Sequence, residues 1–120
     1  MPDPRRYDDA LASALPASWL HHLDEHYEKW ARFYPGLDEE PSFYFKRQCF
    51  LGVEPDYALM PHLIDCGLGD TLVFSTDFPH FDAIFPGSAA ALYTRDDLSE
   101  TDKRKILHDN ALRMYEPENA

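Results

Sequence analysis

The segment Thr71-Leu72-Val73-Phe74 constrains the fold most. It is short and continuously apolar, the pattern of a strand covered on both faces. A turn, Gly67-Leu68-Gly69-Asp70, leads into it. Before the turn, Asp56 to Cys66 has helical spacing, with Leu59, Leu63 and Cys66 on one side. That reads as a helix, weakened by Pro61, because a proline in a helix interior costs ~3 kcal/mol. The alternative is a helix that begins at Met60, with Pro61 in its first turn. Cys49 to Val53 reads as another strand, ended by Pro55. Strand, helix and strand in this order make a parallel βαβ unit, with a right-handed crossover. The expected class is α/β.

The rest of the chain is organised around that unit. Residues 1–16 are polar and contain Pro2, Pro4 and Pro16, so they read as a loose arm with a short helix near Asp8 to Ala14. A helical pattern opens at Pro16-Ala17-Ser18. Trp19, Leu20, Leu23, Tyr27, Trp30 and Ala31 share its apolar face, and Pro35-Gly36 should stop it near Tyr34. Leu37 to Ser42 reads as a loop, and residues 78–95, with Pro79, Pro86 and Gly87, as irregular. Ser99, with Asp102 three residues on, resembles a capping box that opens the last helix. That helix should bury Ile106, Leu107, Ala111 and Met114, expose Lys103, Arg104 and Lys105, and end at Glu116-Pro117. Residues 117–120 are a tail.

Charge and composition exclude several functions. The chain has 44% hydrophobic residues and 14% aromatics, which is not the make-up of a disordered segment. Its 11 basic against 22 acidic residues give a formal charge of −11. Such a field repels a phosphate backbone or an anionic membrane, so neither nucleic acid nor membrane is expected as a partner. No run approaches the ~18 apolar residues of a membrane span. The start, Met1 to Asp9, is charged and lacks the apolar stretch of an export signal. Cys49 and Cys66 then read as reduced, buried thiols in a cytoplasmic protein.

Chemistry points to the end of the second strand. Asp77 sits where that strand finishes, and in α/β folds ligands bind at the carboxyl ends of strands. A carboxylate there can hold a divalent metal or take a proton from a metal-bound water. Pro79 stiffens the next turn, and His80 and Asp82 add polar groups to the same region. The spacing alone is equally that of a turn-capping aspartate followed by a surface histidine.

The whole string Leu72-Val73-Phe74-Ser75-Thr76-Asp77-Phe78-Pro79-His80-Phe81-Asp82 resembles the last barrel strand and loop of the amidohydrolase-related family. That branch of the amidohydrolase superfamily shows serine or threonine, aspartate, an aromatic, proline and histidine at this place. Lys105-Ile106-Leu107-His108-Asp109-Asn110-Ala111-Leu112-Arg113-Met114-Tyr115 is similar to its terminal helix. Phe45-Lys46-Arg47-Gln48-Cys49-Phe50 is similar to the approach to its seventh strand, and Trp19 through Tyr27 to the helix before that. The resemblance covers residues 17–116. It implies the C-terminal portion of a (β/α)8 TIM barrel, with two parallel strands and flanking helices. A closed barrel typically needs roughly 250 residues, and this chain has 120.

By the same resemblance, Asp77 is the aspartate that binds a catalytic divalent metal, often zinc, or moves the proton of the attacking water. The family hydrolyses C–N or C–O bonds, or decarboxylates small organic acids without redox chemistry, so the substrate implied is a small molecule. Its metal site also needs an early His-x-His pair, which is absent from this sequence. One aspartate cannot hold zinc, which takes about three protein ligands. The chain alone is therefore expected to bind no metal stably and to be inactive. His80, Arg47, Glu54 and Asp82 are weaker, substrate-side candidates. Arg47 and Glu54 flank the first strand, where either can meet a substrate carboxylate or simply be a surface ion. His22 and His26 are spaced i, i+4, as two metal ligands on a helix can be, but they lie opposite the tryptophan face. His62 and His108 read as structural or exposed, and Cys49 as core. Three functional readings follow: part of a metal-dependent enzyme, an interaction module that completes a barrel with another chain or self-associates, or a truncated gene product.

Overall fold

A computed structural model describes residues 5–33 and 35–116. The expectations for residues 1–4, for a helix stop at Tyr34, for Pro117 and for the 117–120 tail lie outside the described residues. The chain divides into two compact units, residues 1–49 and 50–120.

In the first unit, helix α1 spans Arg5–Trp30, and a 3-10 turn, Ala31–Phe33, follows. The loose arm expected over residues 1–16 is thus helical from Arg5, and the helix continues through Pro16. A proline removes one backbone donor and crowds the preceding turn; the turns on either side keep this helix continuous. Leu20 is buried as the apolar stripe requires, whereas Trp19 and Trp30 are exposed. Helix α2, Pro41–Gln48, stands where the sequence reads as a loop running into aromatic chain. Pro41 occupies its first turn, where the missing N–H costs nothing, and Lys46 and Arg47 lie in its last turn against the negative end of the dipole. The side chain of Asp24, on α1, accepts from the Ser42 N–H at 2.9 Å, satisfying an amide that the start of α2 leaves open.

The second unit contains the expected parallel pair. Strand β1 is Leu51–Val53 and strand β2 is Leu72–Phe74, in register Leu51 to Leu72, Gly52 to Val73 and Val53 to Phe74. Between them, helix α3 covers Met60–Leu63 and widens into a π-type turn, Ile64–Leu68, before a 3-10 turn, Gly69–Thr71. Pro61 sits in the first turn of α3, the shorter of the two helices its position allowed. Gly67, at φ 79°, takes the left-handed conformation that ends the helical run.

Helix α4, Ser88–Tyr93, lies inside the segment expected to be irregular. The last helix runs as α5, Glu100–Arg104, a wide π-type turn, Lys105–Asp109, and α6, Asn110–Tyr115. Ser99 caps it as expected: its hydroxyl accepts from Asp102 N at 3.1 Å and donates to the Asp102 carboxylate at 2.5 Å.

Val53, Met60, Leu63, Leu68, Leu72, Leu92, Leu98 and Ile106 form the core of this unit. Lys103 departs from the solvated side assigned to it. It is buried, pairs with Glu100 at 3.0 Å and stacks over Tyr93. The long aliphatic stem of lysine makes such burial tolerable once the ammonium has a partner. Both cysteines are exposed, which corrects the expectation that they are core thiols. Cys49 caps the end of α2, and Cys66 lies in the wide turn after α3, where neither side chain points inward.

Candidate functional site

β2 ends at Phe74, and the backbone leaves the sheet through one more ladder bond, Ser75 N–H to Val53 C=O at 2.9 Å. The next amides have no strand to pair with. The Thr76 hydroxyl accepts from Phe78 N at 3.2 Å, and the Ser75 hydroxyl accepts a longer contact from Asp77 N at 3.4 Å. Serine and threonine make such local bonds to backbone two residues on. They let the chain turn sharply at Asp77, which adopts φ 53°. That left-handed conformation is disfavoured for residues with a Cβ, though aspartate tolerates it better than most.

The sharp turn brings the motif side chains together. His80 N–H donates to the Asp77 carbonyl at 2.9 Å, closing the turn. The His80 imidazole then returns over the Asp77 carboxylate, Nδ1 to Oδ2 at 2.8 Å. Asp82 joins them, so that one donor atom from each of Asp77, His80 and Asp82 lies within 4.8 Å of the others. Two carboxylates and an imidazole are donors of the kind a divalent ion such as zinc takes. His80 and Asp82 are exposed and Asp77 is half-buried.

Glu54 follows β1 directly, half-buried, at the same end of the strand pair as Asp77. Beyond it, the loop is braced by Arg95. Its Nη1 donates to Pro55 O at 3.0 Å and to Tyr57 O at 2.7 Å, while Nε and Nη2 grip the Asp97 carboxylate at 2.8 and 2.6 Å. The guanidinium holds the Asp97 carboxyl below its ordinary range. No spacing rule singles out Arg95, because its partners are backbone carbonyls some 40 residues earlier. Arg47 belongs to the first unit, and its guanidinium lies over the Phe43 and Tyr44 rings of its own helix.

Four of the five other histidines pair locally. His21 and His22 each lie 3.7 Å from Glu25, His62 Nε2 lies 3.7 Å from Cys66 Sγ, and His108 Nδ1 lies 2.8 Å from Asp109. Among the described residues, the one cluster of three or more metal-type donors is Asp77, His80 and Asp82. Among them too, no helix is long and apolar enough to cross a membrane.

The model of the amidohydrolase family matches residues 10–116. The chain belongs to the amidohydrolase family. Members are typically metal-dependent and act on small molecules, and their fold is the TIM barrel. The match spans both units and includes the Asp77 turn. The two parallel strands described in this amidohydrolase chain do not close a barrel, which takes eight. No curated protein matches the chain in a sequence comparison.

Proposed function

We propose that this chain supplies the C-terminal portion of an amidohydrolase barrel, with β1 and β2 as its seventh and eighth strands. Asp77 is then the aspartate of the metal site. One observation carries the reading: a strand that pairs in parallel delivers Asp77 at its carboxyl end, in a left-handed turn that gathers His80 and Asp82 beside it. Ligand sites of α/β barrels lie at that end of the strands. Asp77, with His80 and Asp82 beside it, would hold the ion. The bound ion, zinc being the best match to these donors, would polarise a carbonyl or lower the pKa of a water. Glu54, at the end of the neighbouring strand, is the group proposed to meet substrate charge. The reaction is hydrolysis of a C–N or C–O bond, or non-oxidative decarboxylation of a small organic acid.

The chain on its own is proposed to lack turnover, since one metal-site aspartate does not make a zinc enzyme. The test is an assay of the 120-residue protein with zinc or manganese against aryl amides, esters, lactones and aromatic acids. Rates equal to those of metal alone are expected. Metal-dependent turnover that disappears in Asp77→Ala would overturn the proposed inactivity.

A second reading is favoured by the surface of the second unit. Phe78, Phe81 and Phe85 are all exposed, Phe81 at 97%. Each strand pairs on one side only among the described residues. Unpaired edges and exposed aromatics seek partners. In this reading the chain associates with itself or with a polypeptide that carries the other strands.

A further inference from the structure

If Asp77 is the metal-side aspartate, as proposed above, a neighbouring side chain must set how its carboxylate is presented. Asp77 has a carboxylate with two oxygens and a side chain that can rotate. Nothing in the strand itself fixes which oxygen is left for a ligand. The turn after it supplies a partner for one of them. The bond from His80 N–H to Asp77 C=O holds residues 77 and 80 together through backbone, at 2.9 Å. The imidazole then meets Oδ2 through Nδ1 at 2.8 Å. A neutral imidazole has one N–H and one lone pair. Against a carboxylate at this distance the hydrogen belongs on Nδ1, since two facing lone pairs would repel.

We propose that His80 is a positioning residue: its Nδ1–H holds Oδ2 of Asp77 and leaves Oδ1 as the oxygen that faces the metal. A carboxylate held in this way binds an ion through one oxygen. That keeps a coordination position open for water or substrate, as a catalytic site requires. Partners that fix a ligand's orientation in this manner commonly govern metal affinity. The left-handed backbone of Asp77 fits the same role, because it turns the carboxylate toward the residue three positions on.

The experiment uses the full 120-residue chain, labelled with nitrogen-15, at a pH where the imidazole is neutral. Long-range proton–nitrogen correlations should show His80 as the Nδ1–H tautomer in the wild type, changing to Nε2–H in Asp77→Gly. A wild type dominated by Nε2–H overturns the proposal. Manganese in large excess, bound weakly and in fast exchange because this chain does not hold a metal stably, should broaden the resonances of residues 75–82, and Asp77→Gly should abolish that effect. His80→Ala should weaken the apparent manganese affinity roughly tenfold. His80→Asn, whose amide N–H occupies the place of Nδ1–H, should restore most of it. Equal affinity in the wild type and His80→Ala overturns the positioning role. Absence of broadening in a wild type that shows the Nδ1–H tautomer overturns the metal-side reading of Asp77 itself, and so separates that failure from a failure of the pairing.

Discussion

Two residues show how single side chains hold this unit in shape. Asn110 is buried, and its side-chain amide donates to Gly69 O at 2.9 Å and to Leu72 O at 2.7 Å. It therefore ties the last helix to the turn before β2 and to the first residue of that strand. Each such bond contributes about 1 kcal/mol net, and buried carbonyls left without a donor cost more. Asn110→Ala should lose about 2 kcal/mol of unfolding free energy in urea titrations. Asn110→Asp should be worse at neutral pH, since it sets a carboxylate against two carbonyl oxygens. Asp77 makes the opposite demand. Its φ of 53° favours residues that tolerate the left-handed region. Asp77→Asn and Asp77→Gly should leave stability nearly unchanged, whereas Asp77→Val should cost about 1–2 kcal/mol. A loss for Asp77→Gly as large as that for Asp77→Val would show that the carboxylate, not the backbone, is what the fold needs. The position of Asp77 at a strand end was legible in the sequence, from an apolar run ending in Ser75-Thr76-Asp77. The reach of Asn110 was not, because its acceptors are carbonyls some 40 residues away and carry no side-chain signal.

At the scale of elements, sequence and structure agree where caps and periodicity are local. Ser99 opens the last helix as its pairing with Asp102 required. Ser99→Ala should cost about 1 kcal/mol, read as a shift of the urea midpoint, because the Asp102 amide loses its acceptor. The parallel strands were legible because each is an apolar run bounded by turn residues. α2 and α4 were not. Phe43, Tyr44 and Phe45 favour strand by propensity, yet Pro41 starts a helix and the basic residues end it. Pro86 and Gly87 looked like part of a long irregular loop, but they are the boundary before Ser88–Tyr93. The brace between elements also has a pH signature. Arg95 lowers the Asp97 carboxyl through its hydrogen bond and charge. A group with a lowered folded pKa stabilises above its unfolded value, near ~3.9, and loses that contribution as pH falls through the folded value. Asp97→Asn should therefore be less stable than wild type at pH 7, and the gap should narrow below about pH 4. The Asp97 side chain is 45% exposed, so solvent screening keeps the effect small.

Across the molecule, the arrangement of polar and apolar surface decides what the chain does in solution. The core of the second unit is drawn from α3, both strands, α4 and the last helix, and it covers one side of the sheet pair well enough to bury Leu72 completely. Among the described residues each strand pairs on one side only, and in the loop after β2 Phe78 stacks on Phe85 at 4.4 Å between ring centres while Phe81 stands in solvent. A formal charge of −11 opposes association of identical chains, while salt screens that repulsion over a Debye length of about 8 Å at physiological ionic strength. The two effects predict a particular dependence. Sedimentation velocity should show mostly the 13.9 kDa monomer at low salt and low concentration, with larger species as either is raised. Phe81→Ser should suppress those species without changing the urea midpoint, since its side chain is 97% exposed and adds nothing to the core. A monomer at every salt and concentration would mean that the exposed aromatics and strand edges of this chain do not drive it to associate with itself. A rise in association as salt is lowered would mean that complementary charge, not apolar contact, drives it.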